Sequence, residues 1–168
     1  MSSLKVQDRL QPALLDRLTD DDPGSTVEAP DKRVVSRTRL REVVLRDLSW
    51  LFNSARLSDS ESFEGCPAAL HSVINFGLPT LSGQTASSVD PVALQGEVRQ
   101  AIIEHEPRIL PDTLRVETIV SDEQLDHHNQ ISFRISGQMW AQPVPLELLL
   151  HTDIDLETGR VDVRELPR

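Results

Sequence analysis

Aromatic residues, cysteines and long apolar runs are all scarce in this sequence. Its 168 residues include no Tyr, two Trp, four Phe and one Cys. The lone Cys66 rules out a disulfide pair within the chain and is more typical of cytoplasmic than of secreted proteins. No apolar run reaches the ~18 residues that a membrane helix needs, and charges interrupt the leucines near the N-terminus, unlike a signal peptide. The sequence therefore predicts a cytoplasmic protein.

Cations are also in deficit. The chain carries 17 Lys and Arg against 27 Asp and Glu, a net charge of -10. Generic nucleic-acid binding requires cations for the phosphates, so this balance argues against it. The phosphate-binding loop, the dinucleotide fingerprint and the nucleophile elbow are missing as well. The common nucleotide-dependent enzymes and serine hydrolases are therefore disfavoured.

The N-terminal segment, residues 1–34, is predicted to be an amphipathic helix over Val6 to Leu18 followed by an acidic linker. A helix this short needs a surface to dock on, either its own core or a groove on a partner. Residues 35–164 are predicted to form one α+β domain, and residues 165–168 a tail.

A long amphipathic helix is predicted from Ser36 to about Leu57, because apolar residues recur there at helical spacing. Residues 31–56 hold seven cations and three acids, so this helix is basic in an acidic chain. The cations form either a solvated face or a contact with an acidic protein partner. Arg37, Arg41 and Trp50 on this helix, together with Trp140, are the candidate interface residues.

Two further helices and a turn follow. Pro67 is suitably placed to begin a helix that continues to about Asn75. Residues 75–79 predict a sharp, buried turn. Asp90 is then the predicted N-cap, and Pro91 the first residue, of a helix that continues to about Glu106.

The segment Glu106-Pro107-Arg108 marks the change from helical to strand periodicity. Proline disfavours helix at the preceding residue, so a helix should end near Glu106 and leave Glu106 and Arg108 at a fixed corner. Such a charged pair is a catalytic acid with its orienting cation, a contact point for a partner, or a plain ion pair at a helix end. If it is a partner contact, Arg108→Ala should impair assembly while the isolated protein stays folded.

Beyond the corner, apolar and polar residues alternate over three runs and a short fourth one, which predicts four strands. The runs begin near Leu114, Ile131, Leu146 and Val161. The predicted fold is α+β, with N-terminal helices packed on one face of a small antiparallel or mixed sheet formed by the C-terminal half.

Catalytic and metal-binding patterns are weak. A glycosidase pair would combine Glu106 with Glu104, Asp112 or Glu117, but Arg108 favours an ionised carboxylate and a general acid must be protonated. His127-His128 is typical of a solvated turn, and Cys66 with His71 does not complete a zinc site. We predict no catalytic residues, no metal and no cofactor.

Four short motifs follow one another along the chain: Leu45-Arg46-Asp47-Leu48-Ser49-Trp50-Leu51, Asn75-Phe76-Gly77-Leu78-Pro79-Thr80-Leu81, Glu106-Pro107-Arg108-Ile109-Leu110 and Gly137-Gln138-Met139-Trp140-Ala141-Gln142-Pro143. In this order they resemble the TssE baseplate subunits of bacterial type VI secretion systems, which are similar to a small wedge protein of contractile-phage baseplates. The similarity extends from about Val35 to Val163, and Phe76 stands where tyrosine is expected.

The resemblance implies a structural role in the cytoplasmic baseplate. The expected partners are the wedge subunits TssF, TssG and TssK and the contractile sheath, with no nucleic acid and no membrane. Glu106, Pro107 and Arg108 would form the corner on which assembly depends. The alternatives are a lysozyme-like enzyme that cleaves peptidoglycan, and a generic adaptor domain whose N-terminal helix binds a partner.

Overall fold

The computed structural model of the chain describes residues 14–19, 24, 36–85, 88–119, 129–141 and 144–166. Three α-helices lie in this part of the chain: α1 (Leu14–Leu18), α2 (Arg37–Phe52) and α3 (Pro91–His105). Short 3-10 helices span Leu57–Asp59, Pro67–His71, Val73–Asn75 and Pro111–Thr113. The strands are β1 (Arg115–Ile119), β2 (Gln130–Met139), β3 (Leu146–Asp155) and β4 (Val161–Glu165).

The four strands form one antiparallel sheet in the order β1-β2-β3-β4. Helix α3 packs on β1 and α2 packs on β4. The apolar residues of each strand therefore face the helices, and a single core joins the helices to the sheet. The α+β prediction is confirmed, with a sheet that is wholly antiparallel.

The predicted start of two helices is found in the structure. The hydroxyl of Ser36 accepts the Arg39 N–H at the start of α2, and the carboxylate of Asp90 accepts the Val92 N–H at the start of α3. Both contacts satisfy a backbone donor that a helix leaves without an internal partner.

Two boundaries were predicted wrongly. Helix α2 ends at Phe52 and not near Leu57, because Asn53 caps it and turns towards β4. The helix predicted over Pro67 to Asn75 is a pair of 3-10 helices separated by Ser72, whose backbone is extended. The Ser72 hydroxyl bonds the Ala69 carbonyl and the Ile74 N–H, local bonds that compete with a continuous helix.

Both outer strands of the sheet are partly covered by a side-chain amide. Asn53 accepts the Val161 N–H at 3.0 Å and donates to the Val161 carbonyl at 2.8 Å, on the open side of β4. Gln95 of α3 accepts the Thr118 N–H at 3.4 Å on the open side of β1. A side-chain amide in this position forms hydrogen bonds that the backbone of a neighbouring strand would otherwise form, which limits unwanted strand pairing.

The predicted buried turn at residues 75–79 is confirmed, since Asn75, Gly77 and Leu78 are all buried. Gly77 has a φ of 135°, and a Cβ there would collide with the Ser54 carbonyl. The turn thus requires glycine at this position.

Several predictions fall outside the described residues. The predicted first helix is described only from Leu14 to Leu18, and the acidic linker almost entirely lies outside, as does His127-His128. The division into an N-terminal segment, a domain and a tail therefore stays a prediction. No helix in the described ranges is long and apolar enough to cross a membrane.

Candidate functional site

Helix α3 ends directly before the corner Glu106-Pro107-Arg108. Its last regular residue is His105, and the Glu106 N–H closes the final turn by donating to the Ile102 carbonyl at 2.9 Å. The chain then bends, because proline disfavours the helical conformation at residue 106. The predicted helix end is confirmed.

After the bend, the corner is fixed to the end of β2 by backbone bonds. The Leu110 N–H donates to the Gln138 carbonyl at 2.8 Å, and the Trp140 N–H donates to the Arg108 carbonyl at 2.7 Å. Ile109, which lies between them, is buried. The corner is therefore supported by both the helical layer and the sheet.

Glu106 is almost completely buried, with 3% of its surface exposed. Its two carboxylate oxygens accept from Arg108, Oε1 from Nε at 2.6 Å and Oε2 from Nη2 at 2.5 Å. The Arg108 backbone N–H donates to Oε1 as well, at 3.2 Å. This fork geometry gives a buried carboxylate the charged partner that it needs.

The ion pair extends to α2 through Asp47. Nη2 of Arg108 donates to Oδ2 of Asp47 at 2.6 Å, and Nε of Arg46 donates to Oδ1 of Asp47 at 2.9 Å. Arg46 also donates to Asp16 of α1 at 2.8 Å. We call the group Asp16, Arg46, Asp47, Glu106 and Arg108 the corner network; it connects all three helices.

Both arginines of the corner network are held in their charged form. Burial opposes the charge on Arg108, but Glu106 and Asp47 outweigh it and keep the pKa of Arg108 above its ordinary value. The hydrogen bond to Asp16 and the contacts with Asp47 likewise raise the pKa of Arg46, against the effect of burial. Arg46 and Arg108 therefore keep their positive charge throughout the physiological range.

The residues of the corner that reach solvent are Pro107, which is exposed, and the mostly buried Arg108. Both tryptophans of the chain adjoin the same network and are about half exposed. The backbone N–H of Trp140 donates to the Arg108 carbonyl, and the Arg46 guanidinium lies 5.0 Å from the ring centroid of Trp50. A cation over an indole is a favourable contact.

The two candidate arginines of α2 lie in different surroundings. Arg37 is exposed in the first turn of α2. Arg41 is half-buried, donates to the Glu147 carbonyl at 3.2 Å and lies 3.7 Å from the Glu165 carboxylate. Arg41 thus ties α2 to β3 and β4 within the chain.

The sequence did not identify Arg46 and Asp47 as partners of the corner. Both residues lie in one of the four motifs, but a separation of 61 residues between Asp47 and Arg108 leaves no periodic signal. A prediction of their contact would have required the packing of α2 against α3.

The corner has no geometry suited to hydrolysis. The Glu106 carboxylate is enclosed, so a substrate has no access to it, and the Glu104 carboxylate is held by His71 at 2.6 Å and Gln100 at 2.8 Å. Within the described ranges, no three His, Cys, Asp or Glu residues are placed to hold a metal ion.

The sequence matches a known protein family. Its model, described as baseplate wedge protein gp25, matches residues 38–144, which is more than half of the chain. The matched residues include α2 from its second residue onwards, the corner and Trp140. No curated protein and no solved structure matches the chain significantly.

Proposed function

Since this chain belongs to the baseplate wedge protein gp25 family, we propose that it is the TssE subunit of a bacterial type VI secretion system. In this proposal it is a structural component, without enzymatic activity, that joins the baseplate wedge to the contractile sheath in the cytoplasm. TssF, TssG, TssK and the sheath subunits are its partners, and neither nucleic acid nor membrane is one.

The observation that carries the proposal is the buried Glu106–Arg108 pair and its extension to Asp47. Buried ion pairs contribute little net stability compared with apolar residues of the same volume, so their value lies more in fixing one geometry. Here the fixed geometry is that of the exposed Pro107 and of the half-exposed Trp140. A rigid corner with a partly exposed tryptophan has the character of an interface hot spot.

Contact with the sheath is supported by the open side of β4. The ladder to β3 uses the backbone groups of Asp162 and Arg164, so those of Val161, Val163 and Glu165 point outwards. Asn53 occupies the groups of Val161. Among the described residues, nothing bonds the outward groups of Val163 and Glu165, which are therefore available to a strand from a sheath subunit.

The enclosed state of Glu106 argues against the lysozyme-like alternative. A general acid has to reach the scissile bond, and both oxygens of this carboxylate are occupied by Arg108. The contacts of Glu106 therefore support a structural role for this residue and not a catalytic one.

The experiment that tests the proposal is co-purification with TssF and TssG from the same bacterium. A stable complex that contains the wild-type protein is expected. A wild-type protein that elutes alone at micromolar concentration would contradict the proposed function.

A further inference from the structure

A second surface, away from the corner network, exposes four apolar side chains on the 3-10 helices that follow α2. Val73 is 82% exposed and Ile74 is 61% exposed, and Leu57 and Leu70 are partly exposed. We call these four residues the 3-10 patch. A group of large apolar side chains in solvent is more typical of an interaction site than single exposed residues are.

The 3-10 patch is held together by one buried amide. Oδ1 of Asn75 accepts the Ser58 N–H at 2.9 Å, and Nδ2 of Asn75 donates to the Leu70 carbonyl at 2.9 Å. Asn75 therefore links the 3-10 helix at residues 57–59 to the one at residues 67–71. A surface fixed before binding loses less conformational entropy when a partner arrives.

The segment that carries the 3-10 patch is acidic. Residues 57–76 contain Asp59, Glu61 and Glu64 but no Lys or Arg. Glu61 and Glu64 are exposed, and neither carboxylate has an ion pair within the described ranges. The neighbouring Arg56 is already paired with Asp59 and Glu97.

A shallow cleft continues this acidic surface towards α3. The cleft is lined by Asn75, which also links the 3-10 helices of the patch, and by Glu97 and Glu104 of α3. Burial opposes the charge on Glu104, but Gln100 and His71 outweigh it, so the pKa of Glu104 lies below its ordinary value. Arg56 also lines the cleft and is paired with Glu97, so Glu104 supplies the negative charge that this pair does not cancel.

We propose that the 3-10 patch binds an amphipathic segment of another wedge protein, with apolar side chains flanked by Lys or Arg. The apolar residues of that segment cover Val73 and Ile74, and its cations face Glu61, Glu64 and the cleft. Complementary charge of this kind directs association and fixes the register of the bound segment. The inference rests on the proposed function, because it takes the partner from the baseplate wedge.

The first test compares Val73→Asp/Ile74→Asp with Val92→Asp in binding to co-expressed TssF and TssG. Val92 of α3 is 74% exposed, so it is a matched control for the introduction of a charge at an exposed valine. The double variant is expected to raise the Kd roughly tenfold or more, and the control to leave it within about twofold. Circular dichroism checks that all variants are folded.

The second test examines the chemistry of the partner. Glu61→Lys/Glu64→Lys is expected to weaken binding most at low salt, since exposed charges are screened as salt rises. Cys66 is exposed and is the only cysteine of the chain, so a benzophenone can be attached beside the patch. The benzophenone should cross-link to a peptide of a wedge protein in which Lys or Arg residues flank apolar ones.

The outcomes separate the two proposals. Equal binding by the wild type and the Val73→Asp/Ile74→Asp variant overturns the docking site and leaves the proposed function intact. A cross-link to a second copy of this chain or to an acidic peptide also overturns it. A wild-type protein that binds neither TssF nor TssG contradicts the proposed function itself.

Discussion

Arg108 donates to Asp47 across 2.6 Å, although the two residues lie 61 positions apart. The same guanidinium holds the buried carboxylate of Glu106 in a fork. One side chain therefore connects the end of α3 to the middle of α2. This relationship shows that the ion pair at the corner is more than a local contact at a helix end.

Arg108→Ala is expected to lower the free energy of unfolding by about 3–5 kcal/mol, because it leaves the Glu106 charge buried without a partner. The expectation from the sequence was that the isolated variant stays folded, and the burial of Glu106 adds that its stability is lower than that of the wild type. Adding Glu106→Gln should restore part of the loss by removing the unpaired charge. Urea denaturation measures both changes.

Arg99→Ala, at an exposed position of α3, is the control and should change stability by less than about 0.5 kcal/mol. An equally small effect of Arg108→Ala would show that the contacts of Arg108 contribute little to the fold.

Two glycines are expected to respond in opposite directions. Gly77→Ala should destabilise by about 2–4 kcal/mol, because its φ of 135° suits only glycine and a Cβ would meet the Ser54 carbonyl. Gly96→Ala should stabilise by about 0.5–1 kcal/mol, since Gly96 lies within α3 and a Cβ there meets open space. Thermal unfolding distinguishes the two, and a stable Gly77→Ala variant would disprove the strained turn.

Acid sensitivity should depend on Asp153. Burial opposes the charge on Asp153, but the Ser132 hydroxyl at 2.7 Å, His151 at 2.8 Å and Arg164 outweigh it, so its pKa lies below the ordinary 3.8. Its contribution to stability is therefore complete above pH 3.8 and is lost as the pH falls from there through the lowered pKa.

Asp153→Asn should reduce the pH dependence of unfolding below pH 3.8. Asp112→Asn, at an exposed position and without an ion pair among the described residues, is the control for a change from carboxylate to amide. The measurement is the midpoint of urea unfolding over an acid pH series. Identical slopes for Asp153→Asn and the wild type would contradict the assignment.

The contact with the sheath is tested by Val163→Pro. Proline removes the outward N–H of Val163 but no bond of the ladder to β3, and edge strands tolerate proline at such positions. The variant should fold, with a loss of about 1–2 kcal/mol from poorer packing, and should fail to recruit sheath subunits to assembled baseplates. Val163→Thr keeps the N–H and is the control; sheath recruitment by the proline variant at the wild-type level would exclude strand pairing here.

The sequence predicted most of the regular structure, because periodicity and capping act over a few residues. The strands, the helix start at Ser36, the cap at Asp90 and the helix end at Glu106 all follow from such local signals. The break at Ser72 was missed because side-chain bonds to the local backbone outweighed a helical pattern.

The candidate site was predictable only in part. Proline fixed the position of the corner, but the burial of Glu106 and its connection to Asp47 depend on how α2 packs against α3. The covering of the open edge of β4 by Asn53 depends in the same way on a contact over 108 residues. Long-range packing of this kind leaves no periodic trace in a single sequence.

The most direct measurement is size-exclusion chromatography with light scattering on this protein co-expressed with TssF and TssG. It compares the wild type with the corner variant Trp140→Ala, which removes a half-exposed side chain next to the corner and keeps Pro107 and the Glu106–Arg108–Asp47 bonds, and with the exposed control Arg99→Ala. The account predicts a stable wild-type complex, an unchanged control, and a corner variant that is folded but dissociates. A wild-type protein that elutes alone, or a corner variant that assembles as well as the wild type, would contradict the assignment of the corner as the assembly surface.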